Sequence, residues 1–523
     1  MGNKKLNLLE LFSIGVGGMI GGGIFAVLGL SIALSGKNAP LAFLIAGIIA
    51  LLTGYTYSKL SRRFPSRGGT TEYIIKAFGN NVFSGAMNIM LIISYIIMIS
   101  LYAYAFGSYA QALLHIPKHL AITLVIIIFT IINALGVYTT GKTEDALVLF
   151  KVSILLLLVG VGLIGIKHNI INNFIPHQSI LNILVGGMII FLAYEGFELI
   201  SNASSEADPK DVYKSFYLAI LFVIFIYVLV AIVSVNSLPL KEIIRAKDYA
   251  LAVVAKPFLG ELGFILISIA ALASTASAIN ATLFGTAGIT YLISKYGELP
   301  KFLEKVVWKH AYEGLLMISL VSLITSNLLN LEEISLIGSA GFLLIFLLIN
   351  ISGFILSRQA KINRVVSTIS IVLSFIALLT LLVKNIEINP MGVYLFLLAI
   401  AGSFVIEYVY RKISKREISY YVDKNLERRE ILIDSWKDWI KKVVHFIKEK
   451  YPGSEVYLIG GLARNERETS NDVDILVLSK EGDLLSIADK ILNKFKSYPL
   501  DIHIHNLSDK NKVISKYGTC IKL

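Results

Sequence analysis

The chain has 523 residues, of which 55% are hydrophobic and only 16% are charged, and its mean hydropathy is +0.72. This composition excludes a soluble globular protein and predicts a polytopic membrane protein. The net charge of +12 is spread through short loops, as expected for cytoplasmic loops, so no nucleic-acid partner is expected. A single cysteine, Cys520, excludes an intramolecular disulfide.

About twelve apolar segments are long enough to cross a bilayer as helices. They lie near residues 8–34, 39–58, 82–114, 119–137, 145–166, 181–204, 215–236, 257–291, 312–329, 333–356, 365–383 and 391–410. Lysine and arginine are concentrated in loops on the side of the amino terminus, so we expect a multi-pass plasma-membrane protein with both termini in the cytoplasm. Residues 238–257 carry four basic residues on the outer side and are expected to lie along the outer surface.

The first apolar segment contains IGVGGMIGGGIF, in which six of the nine residues from Gly15 to Gly23 are glycine. Each glycine costs a helix about 1 kcal/mol relative to alanine, so the cluster predicts that the helix opens here. An opened backbone is tolerated in a bilayer only inside protein or beside a cavity, and we interpret the opening as a binding site for a small solute. The alternative is close helix packing, because the GxxxG spacing occurs twice.

The sixth segment is also interrupted, because two glycines are followed by AYEGFELISNASSE, which places Glu195 and Glu198 in mid-membrane. Interrupted helices at corresponding places in two halves of a chain indicate an inverted repeat with a substrate site at the shared midplane. A carboxylate at this depth normally has a partner or a function. Either glutamate could receive a proton, pair with a cationic substrate or brace the opened helix.

Three motifs resemble the amino acid, polyamine and organocation (APC) transporter superfamily: GVGGMIGGGIF, FLAYEGFE and ALASTASAINATLFGTAG. The resemblance implies an all-α polytopic membrane fold with a LeuT-like five-plus-five inverted repeat. It also implies secondary active transport of amino acids or related amines, with no cofactor. We expect this transporter domain to span residues 1–410.

An unwound helix can bind an amino acid through its backbone. Amides around Gly21–Gly23 would bind the carboxylate, and carbonyls of Gly18, Met19 and residues 192–195 would bind the ammonium; by resemblance, these are the positions that the family uses. Three aromatic residues of the sixth segment either form an apolar wall of the site or pack in the bundle. The predicted substrate-binding residues are Gly18, Met19, Gly21, Gly22, Gly23, Phe191, Leu192, Tyr194, Glu195 and Phe197.

Lys151 lies about two turns inside the fifth segment. Its side chain either extends to the cytoplasmic surface or is buried, where desolvation makes it a proton carrier. Proton-coupled relatives carry a lysine at a matching place, in the position that sodium fills in sodium-coupled ones. The resemblance therefore implies proton coupling by Lys151, near the carbonyls of the first segment and the hydroxyls of Ser274 or Thr275, with Glu198 as a further candidate.

The composition becomes charged after residue 410, and residues 411–434 are expected to form a cytoplasmic linker. Residues 435–523 predict a small α/β domain, with helices at 435–450 and 483–496 and strands at 455–459, 473–478 and 500–505. Asp472 and Asp474 alternate with apolar residues and therefore share one face of a strand, and Asp501 on another strand can complete a triad. Three carboxylates suit a divalent cation that also binds a nucleoside triphosphate.

This pattern resembles the minimal nucleotidyltransferase domain of the polymerase-beta superfamily. The resemblance implies that the three aspartates are catalytic metal ligands, with Mg²⁺ and a nucleoside triphosphate as cofactors. It places the glycine pair Gly460 and Gly461, together with Arg464, at the nucleotide. His503 and His505 share the strand face of Asp501, and a solvated strand face is favoured for them over the alternative of a metal site. Both an active enzyme and a nucleotide sensor fit this pattern.

The sequence thus predicts a proton-coupled amino acid symporter with a cytoplasmic nucleotidyltransferase-like domain that regulates it. Two alternatives stay open, an amino acid exchanger and a membrane-anchored nucleotidyltransferase whose membrane part is a sensor. The expected partners are an amino acid or amine, protons and membrane lipid.

Overall fold

The computed structural model describes residues 5–66, 68–135, 141–166, 170–295, 306–307, 311–414, 432, 435–463, 473–480, 484–495 and 498–523. Contacts within the chain divide it into two compact units, Met1–Ser419 and Tyr420–Leu523.

The first unit is built from helices. In chain order they are α1 (Leu8–Met19), α2 (Gly23–Ser35), α3 (Ala39–Arg63), α4 (Thr70–Phe78), α5 (Val82–Leu114), α6 (Lys118–Ala134), α7 (Gly141–Gly165), α8 (Ile180–Ile189), α9 (Leu199–Asn202), α10 (Pro209–Ser237), α11 (Leu240–Arg245), α12 (Ala250–Lys295), α13 (Glu313–Leu328), α14 (Leu331–Ile355), α15 (Ser357–Ala360), α16 (Arg364–Ile388) and α17 (Pro390–Ser414). A two-stranded antiparallel ribbon, β1 (Val306–Val307) and β2 (Ala311–Tyr312), precedes α13. The long α12 contains a non-helical residue, Gly260, whose φ is +62°.

Eight helices of the described ranges are long and apolar enough to cross a membrane, or nine if the bent pair in the sixth segment is one span. Leu8–Met19, Lys118–Ala134 and Gly314–Leu328 are shorter apolar helices. Each of the twelve predicted segments overlaps at least one of these helices. The multi-pass helical fold is therefore confirmed, whereas the number of twelve crossings stays a prediction.

Both predicted interruptions are present. The first span breaks between the end of α1 at Met19 and the start of α2 at Gly23. The sixth span consists of α8, a short 3-10 segment at Phe191–Tyr194 and α9, and its two halves are bent by 49°. We call these two spans, α1 with α2 and residues 180–202, the broken spans.

The glycines of the first break allow the two broken spans to touch. A Cβ atom on Gly18 would lie 2.9 Å from the Cα of Gly196, and one on Gly23 would lie 2.7 Å from the Cα of Ala193. Gly196 itself has a φ of +116°, a conformation that side-chain-bearing residues rarely adopt. The helix therefore opens as predicted, and the glycines also serve the close packing that was the alternative interpretation. That the opening binds a small solute stays a prediction.

The connection between α10 and α12 packs against α2. In α2, 11 of the 13 residues are buried, and the backbone of Lys247 packs directly on Gly29. The Nζ of Lys118 lies 3.0 Å from Oδ2 of Asp248, and Lys247 pairs with Glu332. Lys247, one of the four basic residues of segment 238–257, is thus neutralised by an acidic partner.

The second unit is a small α/β domain. Its elements are α18 (Trp436–Lys450), β3 (Glu455–Leu458), α19 (Gly460–Ala463), β4 (Val473–Ser479), α20 (Leu484–Lys494), β5 (Leu500–Asn506), α21 (Lys510–Tyr517) and β6 (Ile521–Lys522). The strand order is β5-β4-β3-β6, with β4 and β5 parallel and the other pairs antiparallel. Apolar side chains of α18 and α20 pack on one face of the sheet, and Val513 of α21 packs on the other. All five predicted elements are present, whereas α19, α21 and β6 were not predicted.

Candidate functional site

Buried hydroxyls satisfy the backbone at the break in the first span. The Tyr227 hydroxyl donates to the carbonyl of Met19 at 2.6 Å and lies 3.0 Å from the carbonyl of Ala193 in the other broken span. The Ser274 hydroxyl donates to the carbonyl of Ile20 at 3.2 Å and also contacts that of Gly21. The Met19 carbonyl, predicted to be free for the substrate ammonium, therefore already accepts a hydrogen bond.

Lys151 reaches the carbonyl end of α1 from α7. Its Nζ donates to the carbonyl oxygen of Gly17 at 2.8 Å, and the residue is only 3% exposed. The interpretation that this side chain extends to the surface is wrong, because the side chain is buried against α1. Ser274 contacts the same break, whereas the Thr275 hydroxyl donates to Ala271 within its own helix.

The two glutamates of the sixth span have different environments. Glu198 is fully buried, and its carboxylate accepts hydrogen bonds from the backbone N–H of Gly196 at 2.8 Å and from the hydroxyl of Tyr95 at 3.1 Å. Glu195 is 4% exposed, and its carboxyl group lies beside that of Glu198. Glu198 therefore braces the opened backbone, which is one of the three roles expected from the sequence.

A cavity extends from the break along α1. Its walls come from α1, α5, the sixth span and α12. Glu195 is the one charged side chain among the described residues that line it, beside the phenols of Tyr95 and Tyr102. The remaining wall is made of small or apolar residues such as Gly18, Ala278 and Ile289, with the hydroxyls of Ser277, Thr282 and Thr286.

Several predicted substrate-binding residues lie deeper in the bundle. Phe191 packs on Phe346, and Phe197 packs on the same ring at a centroid distance of 5.1 Å. The Tyr194 hydroxyl donates to the carbonyl of Phe43 at 2.8 Å, and the amide of Leu192 donates to the hydroxyl of Ser339 at 3.2 Å. The structure thus favours bundle packing for these side chains, and a role in substrate binding stays a prediction.

Gly21, Gly22 and Gly23 form the tight turn into α2, as predicted. Substitution of any of them would press a Cβ against a neighbour: Tyr102 for Gly22, Ala193 for Gly23 and the carbonyl oxygen of Gly18 for Gly21.

Three tyrosines of the candidate site, Tyr95, Tyr102 and Tyr227, were not predicted from the sequence. Each lies inside an apolar helix. A phenol in the membrane interior needs a hydrogen-bond partner, and this requirement could have indicated that these tyrosines lie near polar groups. The sequence does not show which buried tyrosine faces the break.

The second unit brings predicted metal ligands together. Asp474 of β4 and Asp501 of β5 are register partners in the parallel pair. Ligand atoms of Asp474, Asp501 and His503 all lie within 4.8 Å of one another. A Cβ on Gly460, whose φ is +71°, would collide with the carboxylate of Asp474, so a glycine is required there. His503, interpreted as merely solvent-exposed, is therefore part of this cluster.

Two carboxylates and an imidazole fit a divalent cation, because hard oxygen donors suit Mg²⁺ and an imidazole also suits Mn²⁺. Gly461 follows Gly460 in α19. Asp472 and Arg464, the other predicted metal and nucleotide residues, lie outside the described residues.

Comparison with known proteins agrees with both units. A family model for amino acid permeases matches residues 6–415, and one for nucleotidyltransferase domains matches residues 440–518. The uncharacterized protein MJ0609 of Methanocaldococcus jannaschii is 38% identical over 424 residues, which make up 80% of this chain and 98% of that protein. The inner membrane transport protein YbaT of Escherichia coli (strain K12) is 34% identical over 354 residues, 66% of this chain and 82% of that protein.

A solved structure shares the fold. The manganese transporter of Eremococcus coleocola, crystallised with an aromatic bis-isothiourea substituted compound, matches with a TM-score of 0.52 at 14% identity and covers 77% of this chain and 93% of that chain. The broken spans thus belong to a multi-pass membrane protein of LeuT-like transporter fold. More particularly, the chain belongs to the amino acid permease family and carries a carboxy-terminal nucleotidyltransferase domain.

Proposed function

We propose that this permease is a proton-coupled symporter of amino acids in the plasma membrane, with both termini in the cytoplasm. The amides of Gly21–Gly23 at the start of α2 would bind the substrate carboxylate, because the positive end of the helix dipole lies there. The carbonyl end of α1 at Gly18 and the backbone of residues 192–195 would bind the ammonium. The cavity along α1 is lined by Gly18 and Glu195 and would hold the bound substrate.

The hydrogen bond from Lys151 to the Gly17 carbonyl, 2.8 Å long and buried, is the observation that carries proton coupling. A charged donor makes a stronger hydrogen bond than a neutral one, so an ammonium holds the end of α1 more firmly than an amine does. Loss of the proton would therefore loosen α1 beside the cavity. Ser274, which contacts the same break, would keep the opened backbone satisfied while α1 moves.

Uptake into proteoliposomes tests this function. The purified full chain is reconstituted, and accumulation of each labelled amino acid is measured with and without an inward proton gradient. We expect accumulation of at least one amino acid that collapses when an ionophore dissipates the gradient, with protein-free liposomes as the control. Uptake that requires internal amino acid and ignores the gradient would indicate an exchanger, and the absence of any uptake would contradict transport.

We also propose that the second unit binds a divalent cation and a nucleoside triphosphate and thereby regulates transport. The cluster of Asp474, Asp501 and His503 supports this proposal, and Asp472, Gly460, Gly461 and Arg464 would complete the site. A bound Mg²⁺ would supply charge neutralisation and orientation of the phosphates. The chain's own contribution is to hold three ligand atoms on adjacent parallel strands and to leave room for them at Gly460.

Labelled ATP tests the second unit in the full-length protein. We expect Mg²⁺-dependent ATP binding that is lost in Asp474→Asn and Asp501→Asn and kept in Asp509→Asn, an aspartate outside the cluster. Transfer of nucleotide without amino acid uptake would favour the membrane-anchored enzyme. The absence of both binding and transfer in the unmodified chain would contradict the proposal.

A further inference from the structure

We propose that the side chain of Glu195 binds the ammonium group of the substrate, an inference that rests on the proposed transport function. Glu195 is the one charged side chain among the described residues that line the cavity. A buried carboxylate is costly without a cationic partner, and the neighbouring Glu198 is an acid that cannot supply one. A substrate ammonium in the cavity would supply that partner and three hydrogen-bond donors.

Glu198 does not compete for this role. Its two carboxylate oxygens already accept hydrogen bonds from Gly196 and Tyr95, and the residue is fully buried. Glu195 contacts Glu198 and also reaches the cavity wall. The two glutamates thus have different roles. Glu198 fixes the backbone of the break, and Glu195 presents a carboxyl group to the substrate.

The rest of the wall also favours a cation. The carbonyl end of α1 lies on the cavity at Gly18 and is the negative end of that helix dipole, whereas the carbonyl of Gly17 is already bound by Lys151. The phenols of Tyr95 and Tyr102 supply oxygen acceptors, and no lysine or arginine is among the described lining residues. An anion would find its donors at the start of α2 instead, so a zwitterion would lie with its ammonium toward Glu195.

The ammonium could be the α-ammonium of any amino acid or a side-chain ammonium. Four compounds that share a five-carbon chain, counted without any carboxylate, separate these two sources. L-norleucine carries the α-ammonium and the carboxylate, and L-lysine adds a terminal ammonium. Cadaverine has two ammonium groups without a carboxylate, and 2-hydroxyhexanoate has the carboxylate without an ammonium. Each compound is used to inhibit uptake of a labelled amino acid mixture into proteoliposomes that contain the full chain.

We expect Glu195→Gln to weaken inhibition by the ammonium-bearing compounds by about tenfold or more, because a charged hydrogen bond is lost. Equal losses for norleucine and lysine would assign the α-ammonium, and a loss for lysine and cadaverine only would assign the side-chain ammonium. Inhibition by 2-hydroxyhexanoate should stay unchanged. The exposed carboxylate variant Glu387→Gln is the matched control.

Unchanged inhibition constants in a transporting Glu195→Gln variant would overturn the proposal. If that variant fails to fold, Glu195→Asp keeps the charge but shortens the side chain, and it should weaken the ammonium-bearing inhibitors while 2-hydroxyhexanoate is unaffected. Unchanged constants in Glu195→Asp would then overturn the proposal. Absence of uptake by the unmodified chain would instead contradict the transport function, so the two failures are distinguishable.

Discussion

Gly18 of α1 and Gly196 of the sixth span touch backbone to backbone. A Cβ on Gly18 would lie 2.9 Å from both the Cα and the carbonyl oxygen of Gly196. Contacts of this kind leave no room for a methyl group between the two broken spans and thereby fix their spacing. The cavity and its hydrogen-bond donors depend on that spacing.

Gly18→Ala should therefore disrupt the site. We expect the added methyl group to cost about 1–3 kcal/mol through overpacking and to abolish amino acid uptake. Gly160→Ala in α7 is the matched control, because a Cβ there meets nothing within 4 Å, and it should leave uptake unchanged. Melting temperature in detergent and uptake in proteoliposomes measure both effects. Equal behaviour of the two variants would contradict the close approach.

Tyr227→Phe tests the hydroxyl that joins the two broken spans. Its removal leaves the carbonyls of Met19 and Ala193 without this donor, and an unsatisfied buried polar group costs about 1–3 kcal/mol. We expect a lower melting temperature and slower uptake. Tyr394→Phe is the control, since Tyr394 is 66% exposed. A Tyr227→Phe protein as stable and active as the control would show that the hydroxyl bonds do not matter.

The ion pair between Lys118 and Asp248 should hold the α2 end of the transporter closed. Asp248→Asn removes the charge from a pair that is partly buried, with side-chain exposures of 15% and 25%. We expect a cysteine placed by Ala26→Cys, in a Cys520→Ser background, to react faster with a membrane-impermeant thiol reagent when Asp248→Asn is added. Glu261→Gln breaks the exposed Lys256 pair and serves as control. Equal labelling rates in both variants would contradict the proposed role of the ion pair between Lys118 and Asp248.

Glu455 makes the stability of the second unit depend on pH. Hydrogen bonds from Lys510 and Tyr457 lower the pKa of Glu455 from 4.5 to about 2. Because the folded pKa is the lower one, the unfolded chain binds more protons between these values. The stabilisation is complete above pH 4.5 and disappears as the pH falls toward about 2.

Hydrogen exchange of the β3 amides in the full-length protein measures this effect. Glu455→Gln should exchange faster than the unmodified chain at pH 7, by a small factor because the carboxylate is near the surface. The difference should shrink as the pH approaches 2, where the unmodified carboxylate is also neutral. Glu449→Gln on α18 is the control. A difference between Glu455→Gln and the unmodified chain that does not depend on pH would contradict this account.

Local patterns in the sequence predicted much of the fold and part of the site. The breaks at Gly21–Gly23 and after Gly187 follow from glycines that a helix does not favour, and Lys151 stood out as a charge in an apolar segment. The elements of the second unit followed from the alternation of apolar residues between glycine turns.

The remaining features depend on packing between distant segments. Spacing along α12 does not decide whether Ser274 or Thr275 turns its hydroxyl toward the break, since adjacent residues on a helix differ by about 100° in direction. Phe191 and Phe197 pack on Phe346, more than a hundred residues away. Tyr227 and His503 belong to no motif that the sequence offered, and only the fold brings them to the two sites.

The contact between Lys151 and Gly17 leads to the most direct test of proton-coupled transport. Labelled amino acid uptake and internal pH are recorded in the same proteoliposomes, for the unmodified chain, for Lys151→Ala and for the control Lys384→Ala, whose partly exposed side chain pairs with Glu387. We predict that amino acid entry acidifies the interior in the unmodified chain and the control, and that Lys151→Ala loses gradient-driven uptake by about tenfold or more because the charged hydrogen bond is gone. Full gradient-driven uptake by Lys151→Ala would contradict the role of Lys151. Amino acid entry without proton entry in the unmodified chain would contradict proton-coupled transport.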